Sequence, residues 1–343
     1  MILGLIIIFI LVLILPFLLK KAEEELEIFL FIMGLIAVSI TNQWGLYLIK
    51  EALFEPIKIT VAVFLAGILF RLIQKPLSEN LNPIVEKLGL KLFVFLLIVG
   101  LGMLSSIITA IISALILVEI ISFLKLDKET EIKIVVLACF SIGFGAALTP
   151  IGEPLSTIAM AKLKGEPYNA DFWFLAKILG VYIISAIIVL GIISIKLIEK
   201  SKKSEHGLKE NRLENFKDIT IRTLKVYLFV MALILLGTGF KPLTDMYISK
   251  ISYYALYWIN IISAVLDNAT LTAAQIDPSL SLAQIKFALL ALIISGGILI
   301  PGNIPNIISA NKLKIKSKEW AKIGIPVGFT LMVIYFVLLI LFN

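Results

Sequence analysis

Apolar residues in this chain run together in long blocks, at 1–19, 26–48, 57–74, 131–162, 172–196, 221–240, 283–312 and 321–342. Each block has roughly the length of a membrane-crossing helix, about 20 residues. Two further apolar regions do not fit a single crossing. Region 91–124 is too long for one helix and too short for two crossings joined by a loop. Region 247–276 is interrupted at Leu266-Asp267-Asn268-Ala269-Thr270. The pattern predicts two re-entrant hairpins, each entering and leaving on one side. The fold expected is an all-α polytopic membrane protein.

Two of the blocks carry residues that an ordinary helix in lipid does not tolerate. Gly296-Gly297-Ile298-Leu299-Ile300-Pro301-Gly302-Asn303-Ile304-Pro305-Asn306 holds three glycines and two prolines. Gly145-Ala146-Ala147-Leu148-Thr149-Pro150-Ile151-Gly152-Glu153-Pro154-Leu155 has the same build. Proline removes a backbone donor and glycine weakens the helix. Broken backbone at membrane depth survives only where protein or a water-filled cavity satisfies the freed groups. Pairing Pro150 with Pro301 also pairs Gly145 with Gly296, Leu148 with Leu299, Pro154 with Pro305 and Ala159 with Ala310. Corresponding breaks in two halves are the sequence signature of a transporter's binding site. The plainer alternative is two unrelated proline kinks.

Composition and charge fit this layout. The chain is 60% hydrophobic, with a mean hydropathy of +1.04. Its net charge of +7 does not call for nucleic acid. With eight crossings and two hairpins, most Lys and Arg fall on the side holding Lys20, including the loops 196–225 and 312–322. That side is expected to be cytoplasmic, with both termini outside the plasma membrane. Met1 to Leu19 has no basic n-region or small-residue cleavage site and reads as a retained helix. The single cysteine, Cys139, allows no internal disulfide, and the single histidine, His206, lies in the most polar loop.

The expected organisation follows. Residues 1–56 form N-terminal scaffold helices, and 57–198 form a first repeat with hairpin 91–124 and broken helix 131–162. A mixed-charge cytoplasmic linker covers 199–220. Residues 221–343 form a second repeat with hairpin 247–276 and broken helix 283–312. The first hairpin opens to the cytoplasm and the second to the outside, so the repeats are inverted.

Ionisable residues inside a membrane are functional candidates. Asp267, at the break of the second hairpin, either binds a coupling ion or proton or caps a helix. Glu153, between two prolines, is either part of a site or a cap on the second half-helix. Glu119 either joins the site or snorkels to the cytoplasmic interface. Neutral groups complete the set: Ser105, Ser106, Thr109, Thr149 and Gly152 in the first half, and Asn268, Thr270, Gly302, Asn303 and Asn306 in the second. Pro150 and Pro301 shape the breaks. Each hairpin tip is expected to meet its own broken helix. Hard cations take oxygen ligands of these kinds, and a Na⁺ site is expected at Asp267, Asn268 and Asn303. No arginine lies in this region, which points to a transported cation over an anion.

Ser105-Ser106-Ile107-Ile108-Thr109-Ala110-Ile111, Leu148-Thr149-Pro150-Ile151-Gly152-Glu153-Pro154 and Leu266-Asp267-Asn268-Ala269-Thr270 resemble motifs of the ion transporter superfamily. That superfamily includes divalent-anion/sodium symporters, citrate and arsenite permeases and a group of sodium/proton antiporters. The likeness is greatest to an uncharacterised branch named for cation transport, and covers about residues 57–342. It implies a homodimer and an elevator motion of hairpins and broken helices against a scaffold. No Asn follows Ser105 or Ser106, a departure from the symporters' Ser-Asn-Thr pattern. The expectation is a secondary transporter of Na⁺ or Li⁺ in exchange for H⁺, with no cofactor beyond the coupling ion. The alternative is Na⁺-coupled uptake of a small anion such as a dicarboxylate, citrate or an oxyanion. The chain lacks a His-Glu-x-x-His motif, and an enzyme is not expected.

Overall fold

The computed structural model describes every residue except 20, 23, 24, 125, 199–214, 249–251, 267 and 343. Among the described residues the chain is helical and has no sheet. The helices are α1 (Ile2–Leu18), α2 (Leu26–Thr41), α3 (Leu46–Leu88), α4 (Leu90–Ile108), α5 (Ala110–Leu124), α6 (Lys128–Ala146) and α7 (Pro154–Lys162). They continue as α8 (Phe174–Ile198), α9 (Phe216–Ile248), α10 (Tyr253–Ile259), α11 (Asn268–Gln275), α12 (Leu282–Gly296), α13 (Ile304–Leu313) and α14 (Ser317–Phe342).

Among the described residues four stretches are long and apolar enough to cross a membrane: Leu90–Ile108, Phe174–Ile198, Ile219–Pro242 and Ser317–Phe342. Ile2–Pro16, Leu26–Thr41, Ala110–Leu124 and Leu282–Gly296 are apolar but shorter. The outer surface agrees with this. α14 exposes Phe329, Val333 and Val337, and α8 exposes Val181, Ile188 and Ile192. Such apolar bands on the outside of a folded chain suit lipid and not water. The pattern is that of a helical membrane protein.

Two groups of helices pack broadly. α2, α3 and α9 form one, and α4, α6 and α8 form the other, with α12 and α14 against α6. α4 and α6 meet backbone to backbone: a side chain on Gly145 would overlap the Gly102 carbonyl. Small residues permit this approach, and cross-helix hydrogen bonds replace the hydrophobic drive that lipid cannot supply. Ser141 Oγ donates to Ile98 O at 2.9 Å and Ser105 Oγ to Ile142 O at 2.9 Å.

Three side-chain contacts involve the starts of helices. Lys225 lies 3.2 Å from Glu25, Lys128 lies 2.6 Å from Glu319, and Arg71 stacks over Phe216 at 4.2 Å. These are the starts of α2, α6, α9 and α14, all expected on the lysine-rich side. Tyr168 donates to Leu280 O between the loops that follow α7 and precede α12, both expected on the opposite side.

Three boundaries differ from the sequence expectation. α3 is one helix of 43 residues, so the division expected between 56 and 57 falls inside it. Pro56, Pro76 and Pro83 do not end it. The second block stops at Thr41, where Asn42 takes the left-handed conformation (φ 53), a C-cap that asparagine tolerates. α9 continues to Ile248, so the second hairpin starts later, at Ser252, whose side chain caps α10. Most of the linker 199–220 lies outside the described residues.

Candidate functional site

Both broken helices begin with well-made caps. Asp127 accepts from Thr130 N ahead of α6, and Ser281 forms a capping box with Gln284 ahead of α12. Both then stop short. α6 ends at Ala146 and the chain restarts as α7 after Glu153; α12 ends at Gly296 and restarts as α13 after Asn303. The two restart residues share one backbone shape, φ −155 and ψ 161 for Glu153, φ −155 and ψ 164 for Asn303. In each break the chain doubles back on itself. A side chain on Gly152 would overlap the Ala146 carbonyl, and one on Gly302 the Gly296 carbonyl. Only glycine permits this return.

The breaks therefore correspond as Ala146 with Gly296, Gly152 with Gly302 and Glu153 with Asn303. This is one residue away from the pairing of Pro150 with Pro301. The return glycine and the cap set the geometry, while the prolines occupy intervening turn positions that accept a shift.

The first hairpin turns at Thr109, with φ 75 and ψ 153. A β-branched residue with such a φ is strained. Its Oγ1 accepts from Ile112 N at 3.4 Å, a cap on α5. The tip is fastened to the first break. Ala110 N donates to Gly152 O at 3.0 Å, and Thr149 Oγ1 donates to Ser106 O. Ser105 Oγ reaches both Gly102 O and Ile142 O, while Ser106 Oγ bonds back to Met103 O. Ser105, Ser106, Thr109, Thr149 and Gly152 thus come together; the Ser105 and Thr149 hydroxyls and the Gly152 carbonyl hold the tip to the broken helix, while the Ser106 and Thr109 hydroxyls are engaged within the hairpin itself.

The second half is arranged differently. Asn306 is fully buried. Its Nδ2 donates to Gly296 O at 2.9 Å and to Leu299 O at 2.8 Å, and its backbone N donates to Asn303 Oδ1 at 3.1 Å. The two carbonyls fix which end of the amide is nitrogen. Asn306 Oδ1 is buried and has no hydrogen-bond partner among the described residues. A Cβ on Gly296 would lie 3.5 Å from Asn268 Nδ2 and 3.8 Å from Asn303 Nδ2. One on Gly143 of α6 would lie 3.2 Å from Asn303 Nδ2. Asn268, Asn303 and Gly302 therefore surround the broken end of α12, with the first broken helix alongside. Asp267 lies outside the described residues, and of Thr270 only its position in α11 is described.

Other expected residues resolve as follows. Glu153 stands at the N-cap of α7, but its side chain makes no capping bond. It is 8% exposed. Glu119 does not snorkel outward. It is buried and pairs with Lys312 at 3.4 Å, since the end of α13 packs beside α5 and supplies a cation. Pro150 is partly buried and Pro301 buried. Among the described residues no group of three or more His, Cys, Asp or Glu could hold a metal ion.

The sequence reading missed the polar network behind the second hairpin. Asn260 and Gln275 exchange two amide hydrogen bonds, at 2.8 and 2.7 Å. Ser295 Oγ donates to Asn260 O at 2.7 Å, and Ser263 Oγ to Leu292 O at 3.5 Å. The available signal was Asn260 and Gln275 standing in apolar surroundings on either side of the tip.

Comparison with curated proteins returns no match. A family described as "Protein of unknown function (DUF1646)" matches residues 2–342, almost the full length. On that extent of match, the chain belongs to this family.

Proposed function

We propose that this protein is a secondary active transporter of a small cation, Na⁺ or Li⁺, in exchange for H⁺. The observation that carries the reading is Asn306 Oδ1, an acceptor buried at a helix break without a described donor. A buried acceptor left unmatched costs about 1–3 kcal/mol. A hard cation takes such oxygens. Unwound carbonyls and the neighbouring Asn303 and Asn268 offer further ligands, as helix breaks do in transporters. In this reading Asp267 is the titratable ligand that lets a proton replace the ion, and Glu153 is the second. The first half, whose hydroxyls are engaged, braces the site.

The matched shape of the two breaks supports an inverted repeat of 57–198 and 221–343. The likeness to the ion transporter superfamily adds a homodimer and an elevator motion, with hairpins and broken helices moving against α2, α3 and α9. The lysine-rich end then faces the cytoplasm, and both termini lie outside the plasma membrane.

One observation favours a second reading. α5, α7, α11 and α13 all begin at the tips and breaks, and helix N-termini attract anions. That suits Na⁺-coupled uptake of a dicarboxylate, citrate or an oxyanion. Melting temperature of the purified protein separates the two. Under the cation reading, Na⁺ or Li⁺ raises it and K⁺ does so less, and Asn306→Ala abolishes the rise. No response to any cation contradicts it. A rise that requires a carboxylate or oxyanion together with Na⁺ favours the second.

A further inference from the structure

Two adjacent residues at the end of α13 are tied in opposite directions. Lys312 reaches inward to Glu119 on α5 at 3.4 Å. Asn311 Nδ2 reaches outward and donates to Glu27 Oε1 on α2 at 2.7 Å. Glu27 is only 3% exposed. Its other oxygen lies 3.5 Å from Lys225 Nζ on α9, and Lys225 also reaches Glu25 at 3.2 Å.

The packing behind these ties is unequal. α13 packs broadly on α5 and α6. Neither α2 nor α9 is among its broad contacts, although those two pack extensively on each other. The Asn311–Glu27 bond thus joins α13 to α2 where these two helices do not pack broadly, while the neighbouring α5 packs on α3 and α11 on α9. A hydrogen bond to a carboxylate is stronger than one between neutral groups, so it holds one geometry firmly. When Asn311 leaves, Glu27 keeps Lys225 as its counter-charge. Opening the joint therefore strands no lone buried charge, the costly event in breaking a buried pair.

We infer that Asn311, Glu27 and Lys225 form a latch that holds the end of α13 against α2 and α9 in the conformation described here. The latch opens when the broken-helix unit moves and recloses when it returns. This deepens the transport reading and rests on it. The surface pair Lys128–Glu319 joins α6 to α14 and does not tie α13 to α2 or α9.

The test uses the full chain in proteoliposomes, with Cys139→Ala and a single reporter cysteine at Ile151. Ile151 lies in the first break and is 52% exposed. The readout is its labelling rate by a membrane-impermeant maleimide, with and without Na⁺ or Li⁺. Asn311→Ala and Glu27→Gln should shift that rate in the same direction by about tenfold, the scale of one charge-assisted hydrogen bond. Lys128→Gln should leave it unchanged. In a second background, Glu27→Cys with Asn311→Cys joined by a short crosslinker should freeze labelling at one rate whatever the cation. Cation-dependent labelling that neither substitution nor the crosslink alters overturns the latch and leaves the transport reading standing. Labelling that ignores every cation yet shifts about tenfold in Asn311→Ala and Glu27→Gln keeps the latch and removes the transport reading.

Discussion

Glu119 on α5 and Lys312 on α13 form an ion pair at 3.4 Å, with each side chain only 5% exposed. One comes from the first hairpin and the other from the second broken helix, so the pair locks the two halves of the chain together. Removing one partner takes away the other's buried counter-charge, and breaking a buried pair in this way costs about 3–5 kcal/mol. Replacing both with apolar residues of similar size removes the mismatch. Glu119→Gln and Lys312→Met should each lower the melting temperature sharply, while Glu119→Leu with Lys312→Met should return most of the loss. Additive losses in the double variant would show that the pair is not a unit.

Thr109 combines a strained backbone with a cap, and the two effects separate by substitution. Thr109→Ala keeps the strain and loses the Oγ1 cap, worth about 1 kcal/mol. Thr109→Gly also loses the cap but relieves a strain of order 1–3 kcal/mol. Denaturation should therefore rank Thr109→Gly above Thr109→Ala. The reverse order would mean that the tip backbone is not strained.

The return turn in each break makes a sharp prediction about glycine. Gly302→Ala sets a methyl group against the Gly296 carbonyl. Backbone must shift, at a cost of about 1–3 kcal/mol or more, and the bonds from Asn306 to Gly296 and Leu299 are disturbed with it. Gly180→Ala on α8 has open space around its added carbon, and should be neutral or stabilising by up to about 1 kcal/mol. Equal effects at the two positions would contradict the tight return.

Much of this architecture is legible in residues whose local chemistry leaves little choice. Proline and glycine at Pro150, Gly152, Pro301 and Gly302 announce the breaks, because few helices in lipid accept them. The register of the breaks is not legible from the prolines. It depends on which carbonyl each glycine approaches, a property of the folded turn. The continuity of α3 through Pro56 was missed because proline signals a stop locally, and packing on α9 overrides it. The partners of Glu119 and Glu27 were out of reach for another reason. Asn311 and Glu27 are 284 residues apart, and nothing local to an acid names the helix that will lie beside it. The open acceptor on Asn306 was equally hidden, because sequence supplies an amide but not which of its atoms is left unmatched.

The proposed activity is cation-for-proton exchange at the second break. The most direct test is proton movement in proteoliposomes that enclose a pH-sensitive dye. A pH gradient is imposed, and Na⁺, Li⁺ or K⁺ is then added outside. The account predicts that Na⁺ or Li⁺ triggers proton movement, and that Asp267→Asn and Asn306→Ala each abolish it. The absence of proton movement with every one of these cations, or movement that survives either substitution, would contradict it.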